Sequence, residues 1–430
     1  MKDPVGVAVI GIGYWGTKLV GEYQRSERNK HKLRLSRICD TSLPALLGCK
    51  KKFSLSDDLL TQSPDDVFND PNVSAVHIAS PNMTHYPLAK KALESGKNIL
   101  VEKPMTMHSQ EAYDLVNIAT SRELVLHVGH IFRFNAALQA ARQALEMGAV
   151  GKIYYARVQW TDHLAPFSDR DIVFDLGPHP VDILNLLLAS WPTKAAGIGR
   201  AYRNSREKEE VAYIIVEFQD DLLAHIELSW LHPGKRREVS IVGSDGALVV
   251  DCLNQKVARF ANGNVSELPI QANNTIESEI DAFIEAVSDR LTSVESGLIG
   301  ARTVEVLETI TESMWDRPLP IVQQHRPDEI AALAAVLEIA RQGICTPGYD
   351  LKGRGKISSV AENGKLEKYV GILRKSGFLN VVPTKDGTTQ YEITEKGSSF
   401  LREYQEIANL DIDEQHQSTH RLKNRSKPAQ

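Results

Sequence analysis

The feature that most constrains this chain is a glycine-rich turn near its N-terminus, placed between a strand pattern and a helix pattern. Six apolar residues, Val5–Ile10, precede Gly11-x-Gly13-x-x-Gly16, and a helical pattern follows. The first glycine permits the tight turn, the second lets the backbone approach a pyrophosphate, and the third packs the helix on the strand. This context predicts a dinucleotide site, in which Tyr14 and Trp15 would border the ligand. The alternative is a glycine-rich turn without a ligand.

Apolar runs alternate with helical patterns from residue 5 to about residue 128. The helices are expected near 15–27, 84–95 and 108–122. The predicted strands are Val5–Ile10, Leu33–Cys39, Ala75–Ala79, Asn98–Val101 and Leu124–Val128. Strands that alternate with helices indicate a parallel, doubly wound sheet, so residues 1–128 are interpreted as an α/β Rossmann domain.

Beyond Gly151, strands follow one another almost without helices, which is typical of a mostly antiparallel sheet. The predicted strands are Ile153–Trp160, Val211–Gln219, Leu222–Trp230, Glu238–Val242, Ala247–Asp251 and Val257–Phe260. A helix over Pro180–Leu188 interrupts this series, and helices near 275–290 and 298–314 close it. These patterns predict a second, α+β domain over residues 129–320.

A third region follows a polar, proline-punctuated stretch that suits a linker. Its elements are expected at 328–342, about 355–362, 364–377, Leu379–Pro383 and Gln390–Ile393, with an Asp386-Gly387 turn and a last helix from Glu395. Helices followed by a two-stranded hairpin predict a winged helix over 327–410. The polar segment 411–430 is interpreted as a disordered tail.

Composition excludes several classes of protein. The chain has 430 residues, of which 42% are apolar and 24% charged, as in ordinary globular domains. Its net charge is -5, so the chain as a whole lacks the excess of positive charge that is typical of nucleic-acid binding. No apolar run approaches the length of a membrane span. The four cysteines form no CxxC pair and no targeting signal is visible, so we expect reduced thiols and a cytoplasmic protein.

The third region is locally basic, with 11 basic and 6 acidic residues over 341–402. This excess permits DNA binding without requiring it. The alternative, a winged helix that dimerises or docks protein, is favoured by the alternating charge of the expected recognition helix.

Asp40 stands at the end of the second predicted strand, 24 residues after Gly16. An acid at this place accepts hydrogen bonds from the adenosine ribose and repels a 2′-phosphate, so NAD is favoured over NADP. The alternative for Asp40 is a helix cap.

Hydride transfer from an alcohol also requires a group that takes the hydroxyl proton. Lys103 follows a predicted strand directly, which places it at the carboxyl edge of the sheet, where ligands bind. Asp175 and His179 are four residues apart and could face one cleft, and His179 titrates near neutrality. Each has a plain alternative: a solvated surface lysine, a helix cap at Asp175 and a structural histidine.

A metal site is the remaining alternative for this region, because four potential ligands occur close together in the sequence. These are His163, Asp175, His179 and Asp182. Nicotinamide chemistry does not require a metal, so no metal site is predicted.

Five ordered motifs resemble those of the Gfo/Idh/MocA oxidoreductases, the family of glucose-fructose oxidoreductase and inositol dehydrogenase. They are Gly11–Gly16, Ser80-Pro81-Asn82 with His85, Glu102-Lys103-Pro104, Gly129-His130 with Arg133-Phe134-Asn135, and Asp175-x-Gly177-x-His179-x-x-Asp182. The resemblance covers about residues 5–320. It implies an NAD-dependent dehydrogenase whose second domain binds substrate and forms oligomers, dimers or tetramers, through its open sheet.

The resemblance also implies roles for individual residues. Lys103 resembles the family's catalytic lysine, with Asp175 and His179 as its catalytic pair, and Pro104 matches a proline that is usually cis. The residues that would border the cofactor are Ser80, Pro81, Asn82, His85, Glu102 and Lys103.

Within the family the motifs most resemble dehydrogenases that act on UDP-N-acetylglucosamine or its uronate at the 3-hydroxyl. Arg133, Asn135 and Arg170 would then suit a diphosphate or acetamido group, with Asp182 nearby. Each arginine has the alternative of a structural ion pair.

Two functions are therefore predicted. The first is NAD-dependent oxidation of a sugar or UDP-sugar, with Lys103 and His179 accepting the proton and Asp175 orienting or charging His179. The rival is a sensor of NAD or a sugar nucleotide that regulates transcription through the winged helix, because that region resembles archaeal transcription regulators. Intact Lys103, Asp175 and His179 favour the enzyme.

Overall fold

The computed structural model describes residues 3–165, 167, 170–203, 208–289, 295–316, 333–334, 336–338, 340–341, 365–383 and 389–402. The chain divides into two compact units, 1–317 and 318–430, which are described separately. No helix among the described residues is both long and apolar enough to cross a bilayer.

The first unit begins with a six-stranded parallel sheet in the order β3-β2-β1-β4-β5-β6. The strands are β1 Val5–Ile10, β2 Leu33–Cys39, β3 Leu60–Thr61, β4 Ala75–Ile78, β5 Asn98–Val101 and β6 Leu126–Val128. The helices are α1 Tyr14–Lys30, α2 Leu43–Phe53, α3 Pro64–Asn69, α4 His85–Glu94 and α5 Ser109–Ser121. The strand order reverses at β1 and β4, so a crevice opens at their carboxyl ends. The predicted Rossmann domain is confirmed.

Three elements of this half were not predicted: α2, β3 and α3. Helix α2 buries only Leu46 and Cys49, so it lacks a long apolar stripe, and its local signal is instead the cap of Ser42, whose hydroxyl accepts from Ala45 N. Strand β3 has two residues and α3 has six, which is too short for hydrophobic periodicity to reveal.

The second sheet has eight strands in the order β14-β13-β12-β11-β7-β10-β9-β8. Its strands are β7 Ile153–His163, β8 Lys194–Arg200, β9 Val211–Glu217, β10 Leu223–Ser229, β11 Leu231–Gly243, β12 Gly246–Asp251, β13 Lys256–Ala261 and β14 Asn264–Glu267. Its neighbouring strands run antiparallel except β7 and β10, which are parallel. The predicted mostly antiparallel sheet is confirmed.

Strand β8 was missed because its sequence, with glycines at 197 and 199, has low strand propensity. The glycines are required by packing. A Cβ at Gly197 would lie 2.6 Å from Met314 Cε, and one at Gly199 would lie 2.3 Å from Glu209 Cγ. The two glycines that allow close packing on β8 are therefore the same residues that weaken its strand pattern in the sequence.

Five helices complete this unit. They are α6 Ala136–Glu146, α7 Ile172–Leu176, α8 Pro178–Leu188, α9 Thr275–Ser288 and α10 Glu295–Asp316. One face of the large sheet is buried, whereas the other exposes large apolar side chains, among them Tyr155, Tyr213, Ile215 and Phe260. An open face of this kind is typical of an interaction surface.

The second unit contains α11 Lys365–Lys375 and an antiparallel pair, β15 Leu379–Pro383 and β16 Thr389–Ile393. Residues 395–402 are helical, and parts of 333–341 pack with α11 through Leu337 and Leu373. The expected helix at 355–362, the Asp386-Gly387 turn, residues 317–327 of the proline-punctuated linker and the tail 411–430 lie outside the described residues. The winged helix therefore stays a prediction.

Candidate functional site

A cavity of about 1350 Å³ opens at the carboxyl ends of β1, β4 and β5, between the parallel sheet and the second domain. This is the place where doubly wound folds bind ligands. The predicted site residues that line it are Gly11, Gly13, Tyr14, Trp15, Asp40, Ser80, Pro81, Asn82, His85, Glu102, Lys103, Arg170, Asp175 and His179. Most of the predicted site therefore comes together in one crevice.

The glycine turn has the shape that a bound pyrophosphate needs. Gly11 has φ +94°, and a Cβ there would lie 2.6 Å from Ala79 O. A Cβ at Gly16 would lie 1.8 Å from Gly11 O, so Gly16 lets α1 pack against the turn instead of lining the cavity. A Cβ at Gly13 would meet no atom within 4 Å. Since Gly13 borders the cavity at the start of α1, its missing side chain leaves open the space a phosphate would fill.

Asp40 lies between β2 and α2, at one end of the cavity. Its carboxylate accepts hydrogen bonds from Ile12 N at 2.6 Å and Ser42 N at 2.7 Å, so it ties the glycine turn to the second strand. The side chain that caps α2 is that of Ser42, not that of Asp40. The geometry of Asp40 fits the ribose position and does not fit the helix-cap alternative.

Glu102 forms the floor beneath this crevice. Trp15 Nε1 donates to its carboxylate, His77 Nε2 lies 3.3 Å from the same oxygen, and His77 Nδ1 lies 3.0 Å from Tyr23 Oη. Burial would raise the pKa of Glu102, but His77, Trp15 and the nearby Lys103 charge together lower it. The carboxylate is therefore held charged in a buried position.

Lys103 leaves the carboxyl end of β5, and its peptide bond to Pro104 is cis, as the resemblance implies. Its Nζ donates to the main-chain oxygen of Asp175 at 2.8 Å. Burial lowers the pKa of Lys103, against the opposing charges of Asp175 and Glu102. Lys103 is thus a fixed amine in the cavity wall and not a solvated surface lysine.

His179 lies in the first turn of α8 and faces the cavity. Its ring packs against Phe132 and Trp160, with ring centroids 4.9 and 5.7 Å apart. Burial first, then the charges of Lys103 and Arg237, lower its pKa well below the ordinary histidine value. The imidazole is therefore neutral at pH 7, which is the form that can accept a proton.

The expectation that Asp175 orients His179 is wrong. The Asp175 carboxylate accepts from Arg170 Nε at 2.8 Å and from Trp230 Nε1 at 3.0 Å. The spacing argument holds within one continuous helix, whereas Asp175 lies in α7 and His179 in α8. Asp175 does not cap the helix that begins at Pro178 either, because the N-cap of α8 is Gly177 and no side chain caps this helix.

His85 connects two loops at the Lys103 end of the cavity. Its Nδ1 lies 2.8 Å from Pro104 O and its Nε2 lies 2.9 Å from Ser80 O. The ring thereby holds the loop of Lys103 against the loop of Ser80. Asn82 Nδ2 and His179 Nδ1 are both buried beside the cavity with no hydrogen-bond partner among the described residues, so a ligand in the cavity would satisfy polar groups of this kind.

Three predicted substrate residues do not line the cavity: Arg133, Asn135 and Asp182. Arg133 donates to Asp182 at 2.5 Å and to Asn185 at 2.6 Å, which is the structural ion pair considered as its alternative. Asn135 caps α6 through Ala137 N and Leu138 N. The turn over 131–134 directs Phe132 into the cavity and Arg133 toward α8, so a motif that is contiguous in sequence is divided in space.

The structure adds residues that the sequence analysis missed. Lys235 and Arg237 of β11 line the cavity, and so do Phe132 and Phe167. Lys235 and Arg237 lie in β11, whereas Phe132 lies in the turn over 131–134 and Phe167 lies in a loop. Single basic or aromatic residues in such places match no motif, so sequence pattern offers no means to find them. In the part of the chain that the structure describes, no three His, Cys, Asp or Glu side chains are placed to hold a metal ion.

Comparison with known proteins matches both halves of the first unit. A family model described as an oxidoreductase family with an NAD-binding Rossmann fold matches residues 5–130, and the GFO/IDH/MocA C-terminal domain matches residues 138–249. Together these two models cover more than half of the chain.

Individual relatives agree with these models. The chain is 29% identical over 246 residues to UDP-N-acetylglucosamine 3-dehydrogenase of Acidithiobacillus ferrooxidans, covering 54% of this chain and 76% of that protein. A solved structure of that enzyme superposes with a TM-score of 0.63 at 25% identity, covering 72% of this chain and 98% of that one. The scyllo-inositol 2-dehydrogenase (NAD(+)) of Bacillus subtilis is 25% identical over 269 residues, and the match covers 59% of this chain and 79% of that protein.

Proposed function

Because this chain belongs to the Gfo/Idh/MocA family of NAD-binding oxidoreductases, we propose that it oxidises the 3-hydroxyl of a sugar or UDP-sugar such as UDP-N-acetylglucosamine. The observation that carries the proposal is that Lys103 and His179 share one cavity with the glycine turn. This arrangement supports the proposal, because a dinucleotide held by the glycine turn would share the cavity with two groups that can accept a proton. The identity to UDP-N-acetylglucosamine 3-dehydrogenase supports the choice of substrate.

The proposed oxidation of an alcohol assigns a separate role to each of these residues. NAD, when bound, takes the hydride from the carbinol carbon. The single hydroxyl proton passes to one of the two groups beside it, Lys103 or His179, since one is an amine of lowered pKa and the other a neutral imidazole. The main-chain oxygen of Asp175 fixes Lys103 Nζ, and the Asp175 carboxylate holds Arg170 and Trp230.

The direct test is formation of NADH by the full chain with NAD and UDP-N-acetylglucosamine. Turnover supports the proposal. The rival sensor function predicts ligand binding without turnover and a gel shift with DNA. Burial lowers the pKa of Lys103 and of His179 from their ordinary values, which favours the enzyme, because a sensor has no use for proton acceptors.

The rate of oxidation should depend on the protonation of Lys103. The burial that lowers its pKa lets the neutral amine form below about pH 10.4, the ordinary value for lysine. We expect kcat/KM for oxidation to rise with pH and to fall as pH drops below the Lys103 pKa, while His179 stays neutral above about pH 6.5. A pH profile of the full chain measures this. A flat profile from pH 6 to 10 would contradict it.

Asp40 is proposed to select NAD by accepting hydrogen bonds from the adenosine ribose. Asp40→Ala removes the carboxylate that would repel a 2′-phosphate, so the preference for NAD over NADP should narrow by about tenfold or more. The ratio of kcat/KM for the two cofactors measures the effect. Asp57→Ala, which removes an exposed carboxylate that does not line the cavity, is the control. Equal use of both cofactors by the unmodified chain would exclude the ribose position for Asp40.

The domain organisation is also a proposal: a cofactor domain over 1–128, a substrate domain over 129–320, a winged helix over 327–410 and a tail over 411–430. We place subunit pairing at the exposed apolar face of the eight-stranded sheet, where Tyr213 and Ile215 lie. The winged helix would dock protein or bind DNA, and a salt-sensitive gel shift by the isolated 327–430 fragment would favour DNA.

A chain that ends near Arg326 should stay folded, active and at least dimeric. The reason is that the described contacts of Lys103 and His179 all lie in the first unit, as does the exposed sheet face. Light scattering and the NADH assay measure the outcome. A monomeric or inactive product would make the C-terminal region part of the enzyme.

A further inference from the structure

The end of the cavity beyond Lys103 and His179 is rich in positive charge. Its cationic lining residues are Lys103, Arg170, Lys235 and Arg237. The acidic lining residues of this half are Glu102 and Asp175, whereas Asp40 and Asp65 line the half beside β2 and α3. The part of the cavity left for substrate therefore has more cations than anions among the described residues.

An irregularity in β11 places two of these cations. Leu231 pairs with His163 of β7 and Arg236 pairs with Thr161, so four residues of β11, 232–235, oppose Asp162 alone. Thr161 Oγ donates to Gly234 O at 3.2 Å and fixes the bulge. Bulges beside a site redirect side chains. Here the bulge brings Lys235 to the cavity wall, and the strand resumes with Arg236 exposed and Arg237 directed inward.

Arg237 is a buried guanidinium with spare donors. It is 8% exposed, and its Nη1 donates to Thr161 O at 2.6 Å and to Arg236 O at 2.8 Å. Its Nη2 lies 3.5 Å from Asp162, and its Nε has no acceptor among the described residues. A buried charge with unused N–H groups is costly unless a ligand or water accepts from them.

Lys235 and Arg237 share a single carboxylate. Lys235 Nζ lies 3.2 Å from the same Asp162 oxygen that Arg237 approaches, and the Lys235 side chain is 56% exposed. One negative charge thus faces two positive charges. The pair keeps a net positive charge where it borders the cavity.

We propose that Lys235 and Arg237 bind an anionic group of the substrate, either the carboxylate of a sugar acid or the phosphate of a sugar nucleotide. This inference rests on the proposed function and narrows its substrate class. A guanidinium and an ammonium beside one another match the oxygens of either group, and the reacting hydroxyl then lies toward Lys103 and His179. A neutral sugar lacks this anchor.

Calorimetric titration of the full chain saturated with NADH tests the inference without requiring turnover. The probes are UDP, glucuronate and N-acetylglucosamine, which separate phosphate, carboxylate and neutral sugar. The matched variants are Lys235→Glu and Arg236→Glu, which make the same charge change in adjacent residues, one lining the cavity and one exposed away from it.

At least one anionic probe should bind more tightly than N-acetylglucosamine, and Lys235→Glu should weaken that binding tenfold or more. Arg236→Glu should change it less than twofold. If only UDP binds more tightly than the neutral sugar, the anionic group is a phosphate. If only glucuronate does so, the anionic group is a carboxylate. The inference is overturned if neither anion binds more tightly than the neutral sugar, or if both variants weaken binding equally. If an anionic probe binds in this way but UDP-N-acetylglucosamine yields no NADH with NAD, the proposed function is contradicted and this inference is not.

Discussion

Lys103→Ala and His179→Ala should each lower kcat by about 10²- to 10⁴-fold, because each removes a group assigned to the hydroxyl proton. The dissociation constant for NAD should change less than about threefold, since the glycine turn and Asp40 remain intact. Stopped-flow or steady-state kinetics with a UDP-sugar, and titration with NAD, measure the two effects separately.

The matched control for this prediction is Lys194→Ala. Lys194 is an exposed lysine of β8 that pairs with Glu217 on the surface, so its removal should leave kcat within about twofold. If Lys103→Ala or His179→Ala retains a kcat within about threefold of the unmodified chain, that residue does not accept the proton.

Gly13→Val should abolish most cofactor binding while leaving the chain folded. The added side chain meets no atom of the protein near its Cβ, so stability should be kept, but it occupies the space of the pyrophosphate. An overpacked site costs about 1–3 kcal/mol, which corresponds to about a 5- to 150-fold rise in the dissociation constant for NAD. Fluorescence titration and thermal unfolding measure the two properties.

Gly48→Val is the control, because a Cβ at Gly48 also meets nothing within 4 Å but lies outside the cavity. It should bind NAD normally. Gly16→Ala should instead destabilise the turn itself, since its Cβ would overlap Gly11 O. Normal NAD affinity in Gly13→Val would mean that the phosphates do not approach this glycine.

The alternation of strands and helices, the glycine turn and Lys103 were all predictable from sequence. Their signals are local: a buried strand reads as an apolar run, and the residue after a strand lies at the sheet edge. The pairing of Asp175 with Trp230 was not predictable, because the two residues are 55 positions apart and only the packing of α7 on the large sheet brings them together.

The substrate half of the cavity was the least predictable. Arg133 and Phe132 are neighbours in sequence, yet a single turn sends one to Asp182 and the other to His179. Lys235 reaches the cavity through a bulge whose register depends on the pairing of β7 with β11. The placement of Lys235 therefore follows from long-range strand pairing, which no local motif encodes.

The central claim is that the chain transfers a hydride from a substrate carbon to NAD. The most direct measurement uses UDP-N-acetylglucosamine carrying deuterium at C3, with NAD and the full chain, followed by mass spectrometry of the reduced cofactor. We predict that the NADH formed contains one deuterium and that Lys103→Ala forms it at least about 100-fold more slowly. Binding of both ligands without any deuterated NADH would contradict the claim.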